Sequence, residues 1–283
     1  MVKVLNPGFY SSIQDMGRIG YQNYGVPCSG VMDTYSALLA NMLIGNNQDA
    51  PVLEMTMTGA SLQFYTDTYI VICGANMSPR LNESPVLNNT VIKVNVGDII
   101  SFGKLKAGFR CYLSVLKGFK SDSVLGSCSM YSGISKQAVL LKHDELQIES
   151  SSVLFDNKHA AIKVKENHLT SRIIEVFKGP EFDLLSKTQQ GLLFSKVFSI
   201  SKDNNRMAYQ LNECMDNTLP SIITSGVLPG TIQLTPSGRL IILMRDCQTT
   251  GGYPRVLQLK ESSINVLSQK FTNDSIKFVL NTY

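Results

Sequence analysis

The sequence predicts an all-β fold with a few short helices, and three observations carry that expectation. Short runs rich in β-branched and aromatic residues recur along the chain, Gly, Asn, Asp and Pro punctuate them, and 283 residues are enough for two medium domains. The strands expected are 69–73, 91–96, 99–102, 111–116, 173–177, 221–224, 231–234, 240–244 and 276–280. Asn95-Val96-Gly97-Asp98 and Thr235-Pro236-Ser237-Gly238 read as tight turns between strands, the second fitting a hairpin with Pro at its first central position. Helical signals are fewer. Asp33 stands as an N-cap before Tyr35, Leu38, Leu39, Met42 and Leu43, and Gly45 sits where a helix stop belongs. Two further helical candidates are 181–194, with Gly191 as its weak point, and 260–269.

Composition narrows the function classes. A 43% hydrophobic share with 17% charged residues is that of a globular chain, not a disordered one. A net charge of +4 without Trp or a dense Lys/Arg run gives no basis for nucleic-acid binding. Pro7 and Gly8 interrupt the stretch where an export signal needs a continuous apolar core, and no segment is long and apolar enough to span a bilayer, so a cytoplasmic location is expected. Cysteines 28, 73, 111, 128, 214 and 247 show no CxxC pair and are expected to be free thiols.

Polar segments at 121–136 and 156–170 interrupt the strand rhythm. The second carries His159 and His168 with alternating charges, and reads as a connector between domains 1–165 and 166–283. Arg18 and Tyr21 echo the spacing of Arg206 and Tyr209, which fits two related barrels and is equally explained by chance.

Familiar catalytic motifs are mostly missing from the sequence. The stretch 97–104 misses a phosphate-binding loop by its spacing and by lacking Ser or Thr after the lysine, and no GxGxxG or GxSxG is present. The histidines lack metal-ligand spacing, so no metal site is expected. Dense polar clusters remain. Asp246, Cys247, Gln248, Thr249, Thr250, Gly251, Gly252 and Tyr253 follow an apolar run and read either as a hairpin loop or as a wall that approaches a ligand closely. Asp15 and Arg18, between glycines, read either as a salt bridge at a turn or as a device in which Asp15 holds the guanidinium toward an anion. Glu54 alternates with Thr56 and is either a general base facing a cleft or the wet side of a sheet.

The order of motifs adds a family. Asn6-Pro7-Gly8, Ser12 to Tyr21, Gly25 to Asp33, Ala40 to Asn46 and Leu53 to Thr56 resemble the opening of the biotin-dependent carboxyltransferase, or allophanate hydrolase subunit 2, family. Gly74-Ala75-Asn76, Leu125-Gly126-Ser127, Asn205-Arg206-Met207, Gly226 to Gln233 and Asp246 to Pro254 continue the resemblance through nearly the whole chain. The resemblance implies two cyclophilin-like β-barrels with a cleft between them. It implies a cleft lined by Gln14, Asp15, Arg18, Asn41, Glu54 and Thr56 from the first half. The second half would add Arg206, Tyr209, Gln233, Asp246, Gln248, Thr249, Thr250, Gly251, Gly252 and Tyr253. Within that set, chemistry suggests Arg18 or Arg206 as the partner of a carboxylate or phosphate, the 249–252 backbone as a donor to an oxyanion, and Asp246 or Glu54 as the proton carrier.

Family members include one of the three subunits of bacterial 5-oxoprolinase, the antagonist of a sporulation kinase inhibitor, and a domain of urea carboxylase. Three functions are therefore implied. One is a subunit of an ATP-dependent 5-oxoprolinase, opening 5-oxo-L-proline to L-glutamate together with two other 5-oxoprolinase subunits, one of them kinase-inhibitor-like, and inactive alone. Another is a carboxyltransferase subunit using biotin held on another protein. The third is a regulatory protein that antagonises a kinase inhibitor. ATP would be used through the complex, and biotin would not be attached to this chain. The chain departs from the family pattern at Lys117-Gly118-Phe119, at Ala208 after the Arg-Met pair, and at Gln269-Lys270-Phe271, where a Pro-Gly turn is usual.

Overall fold

Alternating apolar side chains pair into strands along most of the chain, and the computed structural model, which describes residues 1–150, 164 and 167–281, groups them into two units. One unit consists of Met1–Arg18 and Ser29–Thr170, the other of Ile19–Cys28 and Ser171–Tyr283. The association of 19–28 with the later residues has no signal in the sequence. Most of the expected connector over 156–170, His159 included, and the 165/166 boundary itself lie outside the described residues.

The first unit holds two sheets. A six-stranded sheet runs in the order Glu145–Leu146, Val2–Asn6, Ser61–Phe64, Ile99–Phe102, Pro79–Leu81, Ser84–Pro85. A five-stranded sheet runs Tyr10–Gln14, Val52–Thr56, Ala107–Val115, Thr68–Asn76, Val91–Val94. Val4, Leu62, Phe64 and Ile100 of the first sheet and Ile13, Leu53, Ile70, Ile72 and Leu113 of the second share one dry core. Because side chains alternate across a strand, Tyr69, Val71 and Cys73 emerge on the opposite face, where Leu39, Ala40 and Ile44 of the helix Thr34–Ile44 cover them. That helix begins and ends as its sequence predicts. The Asp33 carboxylate accepts from Ser36 N at 3.1 Å, and Gly45 closes it at φ 78° with its N–H on the carbonyls of Asn41 and Met42.

In the second unit seven strands close into a barrel: Ile173–Lys178, Arg255–Leu259, Thr231–Leu234, Arg239–Leu243, Ala208–Cys214, Phe198–Asn204 and Ser275–Leu280. The last strand returns parallel to the first, with Ile174 opposite Phe278. Ile174, Ile200, Leu211, Ile232, Ile242, Leu257 and Phe278 are all buried at 1% exposure or less. The turn 235–238 joins paired strands as expected, with Leu234 opposite Leu240. The turn at 95–98 instead connects strands of two different sheets, and Asp98 holds it by accepting from Asn95 N at 2.8 Å.

Two expectations need correction. The helix foreseen over 181–194 is a 3-10 turn, Phe182–Leu184, followed by a separate helix, Lys187–Ser195, because Ser186 and Gln189 form a capping box that starts a new helix. The strand foreseen over 221–224 is displaced to Ser225–Gly226, since Ile223 has no face to bury itself on and is fully exposed. The helix foreseen over 260–269 is present as Glu261–Ser268. Replacing Asp33 with Ala should remove the cap and lower stability by about 1–2 kcal/mol, read as a lower urea midpoint.

Candidate functional site

The residues singled out in the first unit are bound into the fold. Gln14 is fully buried, and its Nε2 donates to Ser12 Oγ at 3.0 Å and to the Met130 carbonyl at 3.1 Å. Asp15 does not hold Arg18 directly. It accepts from Gly17 N at 2.9 Å and from the hydroxyls of Ser127 and Ser129 at 2.6 Å each, so it organises the 127–129 loop. That loop in turn receives Arg18, whose Nη2 donates to the Ser129 carbonyl and whose Nε donates to the Val124 carbonyl, both at 3.0 Å. Arg18 is fully buried, and its Nη1 has no hydrogen-bond partner among the described residues. Asn41 donates to the Ala50 carbonyl at 2.8 Å and accepts from Ser114 Oγ at 2.6 Å, fastening the end of its helix.

Glu54 lies on the buried strand Val52–Thr56, not on a wet face. Its Oε2 accepts from Met32 N at 2.7 Å and from the Tyr112 hydroxyl at 2.8 Å, and its Oε1 lies 3.9 Å from Arg110 Nε. Burial, with Glu54 and Asp33 nearby, pushes the Tyr112 hydroxyl well above its ordinary range. Asp33 closes the network, its Oδ2 lying 3.0 Å from His168 Nε2. Thr56 is buried too, with its Oγ1 lacking a hydrogen-bond partner among the described residues.

In the second unit Arg206 and Asp246, expected to act on a substrate, act on each other. Arg206 Nε donates to Asp246 Oδ2 at 2.8 Å and Nη2 to Oδ1 at 3.1 Å, a two-pronged ion pair that is almost completely buried. Tyr209 points into the barrel, where its hydroxyl donates to the Lys270 carbonyl at 3.2 Å. The 249–252 stretch pairs with a segment distant in sequence. Thr250–Gly251 pairs antiparallel with Ser225–Gly226, and the carbonyls of Thr249 and Gly252 accept from Val227 N at 3.1 Å and Ile222 N at 2.9 Å.

A pocket of about 490 Å³ opens beside this ribbon, within the second unit. The pleat of the barrel wall builds it. Ala208, Gln210, Ile241, Leu243 and Gln233 line it, while their neighbours Tyr209, Ile242, Ile232 and Leu234 are fully buried. Lys202, Asp203, Asn204, Asn205 and Met207 form one side, Gln248 and Tyr253 another. Gln233 Nε2 reaches the Tyr253 carbonyl at 3.4 Å. Gly251 lets that amide lie close, since a Cβ on it would stand 2.5 Å from Gln233 Nε2 and displace the side chain's end. Gln248 Oε1 is buried with no hydrogen-bond partner among the described residues. Of the residues named from sequence, Gln233, Gln248 and Tyr253 therefore share one pocket. Lys202, Asp203 and Gln210 were missed, although period-two alternation along the strands was the signal that places Gln210 on the pocket face.

Behind the ribbon, Arg255 meets Glu181 through Nη2–Oε1 at 2.8 Å and Nε–Oε2 at 3.0 Å, and this guanidinium holds the Glu181 carboxyl below its ordinary range. No group of three or more His, Cys, Asp or Glu among the described residues is arranged to hold a metal ion.

Residues 24–280 match the family described as carboxyltransferase domain, subdomain A and B. The chain is 32% identical over 285 residues to the C subunit of 5-oxoprolinase from Escherichia coli strain K12, covering 99% of this chain and 91% of that protein. It is 43% identical over 130 residues to urea amidolyase of Lachancea kluyveri, which takes in 46% of this chain and 7% of that protein. The solved urea carboxylase of Kluyveromyces lactis superposes with a TM-score of 0.88 at 29% identity, over 99% of this chain and 27% of that one.

Removing one partner of the buried ion pair leaves the other charge uncompensated. Arg206→Ala should cost about 3–5 kcal/mol in urea denaturation, and pairing Arg206→Met with Asp246→Leu should recover most of the loss.

Proposed function

Because this chain belongs to the carboxyltransferase domain family, subdomains A and B, we propose that it is one subunit of a multi-subunit, ATP-dependent 5-oxoprolinase. In this reading it binds 5-oxo-L-proline in the second-unit pocket, while two partner subunits, one of them kinase-inhibitor-like, complete the enzyme. The observation that carries the reading is the near full-length likeness, 99% of this chain against 91% of the Escherichia coli protein named as the C subunit of 5-oxoprolinase.

The pocket's chemistry supports it. A lactam holds N–H and C=O on the same side, and the primary amide of Gln248 presents the complementary edge, C=O beside NH₂. Its buried Oε1, without a partner among the described residues, is an acceptor for the ring N–H. Lys202, on the pocket wall, supplies a cation for the substrate carboxylate, and Ile241 and Leu243 give the ring methylenes an apolar floor. Hydrolysis adds water across the ring C–N bond, the oxygen going to carbon and a proton to nitrogen. In this reading ATP is used through the complex. Residues 97–104, the stretch nearest to a phosphate loop in sequence, form a turn at Gly97 and the paired strand Ile99–Phe102, which supports placing nucleotide use on the partner subunits.

A second reading has its own support. The stronger local identity, 43%, is to a urea amidolyase, and urea carries the same amide edge. In that case the chain accepts a carboxyl group from biotin held on another protein.

The chain, assembled with its two partners and supplied with 5-oxoproline and ATP, should release glutamate in step with ATP consumption. A fully assembled complex that forms none overturns the first reading, and carboxylation of urea by carboxybiotin in the same preparation establishes the second. Gln248→Leu should raise KM for 5-oxoproline about tenfold with little change in kcat, as expected when one hydrogen-bonded contact is lost.

A further inference from the structure

We propose that Arg255 is a positioning residue for the pocket: it clamps the outer strand Ser225–Gly226 to the barrel and thereby fixes Thr250–Gly251 and the Gln248 and Tyr253 wall. The link to substrate rests on the reading of the pocket given above, whereas the clamp stands on geometry alone.

The ribbon of Ser225–Gly226 and Thr250–Gly251 lies outside the closed barrel as a separate two-stranded sheet. A two-stranded sheet is marginal by itself and needs an anchor. Apolar packing supplies only part of one. Val227 packs with Leu243 and Cys247, but the flanking Ile223 and Leu228 are exposed. Arg255 supplies the rest from the first position of its barrel strand. Its Nη1 donates to Ser225 Oγ and, at 3.1 Å, to the Gly226 carbonyl. Its other face is forked on Glu181, and Glu181 Oε2 also accepts from Arg255 N at 2.8 Å.

The planar guanidinium makes this a directional device. Once Nε and Nη2 are committed to one carboxylate, the plane is set and Nη1 can point only one way, here at the ribbon. A lysine ammonium keeps the charge but cannot serve Glu181 and two ribbon oxygens in that fixed geometry. The consequence reaches the pocket within three residues on either side of the ribbon strand. Gln248 precedes Thr250, Tyr253 follows Gly251, and both line the pocket.

Amide exchange on the full chain tests the clamp without any turnover. In Arg255→Ala, the amides of Ile222 and Val227, which donate across the ribbon, should exchange about tenfold faster, while those of Thr231–Leu234 in the barrel stay within about twofold. The side-chain NH₂ signals of Gln233 and Gln248 should broaden or double. Arg255→Lys should behave like Arg255→Ala. Ribbon amides at the wild-type rate, barrel amides speeding up equally, or full rescue by lysine would each overturn the proposal. If Arg255→Ala does not fold, Ser225→Ala, which removes only the hydroxyl on the ribbon side, is read in the same way. In the assembled enzyme Arg255→Ala should raise KM about tenfold with kcat held within about twofold. A complex inactive even with the wild-type chain fails the hydrolase reading and leaves the exchange result to decide the clamp.

Discussion

A carboxylate withdrawn from water has to collect donors, and much of the irregular backbone in this chain is arranged to provide them. Asp15 gathers the 127–129 loop, Asp33 caps a helix and meets His168, and Glu54 draws in Met32 and Tyr112. Asp246 and Glu181 each take the fork of one arginine. The strands would pair from their apolar patterns alone. Several of the loops and turns between them are fastened by these five acids. A motif that looks catalytic in sequence, an acid beside glycines and hydroxyls, is in several of these places a device for holding a turn.

The pocket is assembled by the opposite rule. Its polar side chains are mostly uncharged amides standing outward from a barrel wall whose alternate residues face the core. Amides lose less on partial burial than charges and present donor and acceptor together, which suits a ligand that is itself an amide. The buried acids are committed to the fold, and the less committed amides face the cavity.

How far the sequence could be read follows from the same division. The helix at 34–44 was visible because both of its ends carry strong local signals, Asp33 and Gly45. Most strands were visible from their β-branched runs, and the order of polar motifs pointed to the family. The pairing of 225–226 with 250–251 was not visible, since it joins segments about 25 residues apart with a barrel hairpin between them. The partners of Glu54, Arg206 and Asp246 within the fold were not visible for a related reason. Residue type and spacing show that a charge is present, but only tertiary contact shows whether its partner is already within the fold. Lys202 went unnoticed because an exposed lysine on a strand has no local signature.

The excursion of Ile19–Cys28 into the second unit has a consequence for how this chain is made. Ribosomal synthesis delivers those ten residues more than 140 positions before Ser171, where the rest of their unit begins. The chain crosses from one unit to the other after residues 18, 28 and 170, so no single cut yields both units intact. A fragment meant to hold the later unit whole therefore has to be supplied with the decapeptide 19–28 as a separate piece.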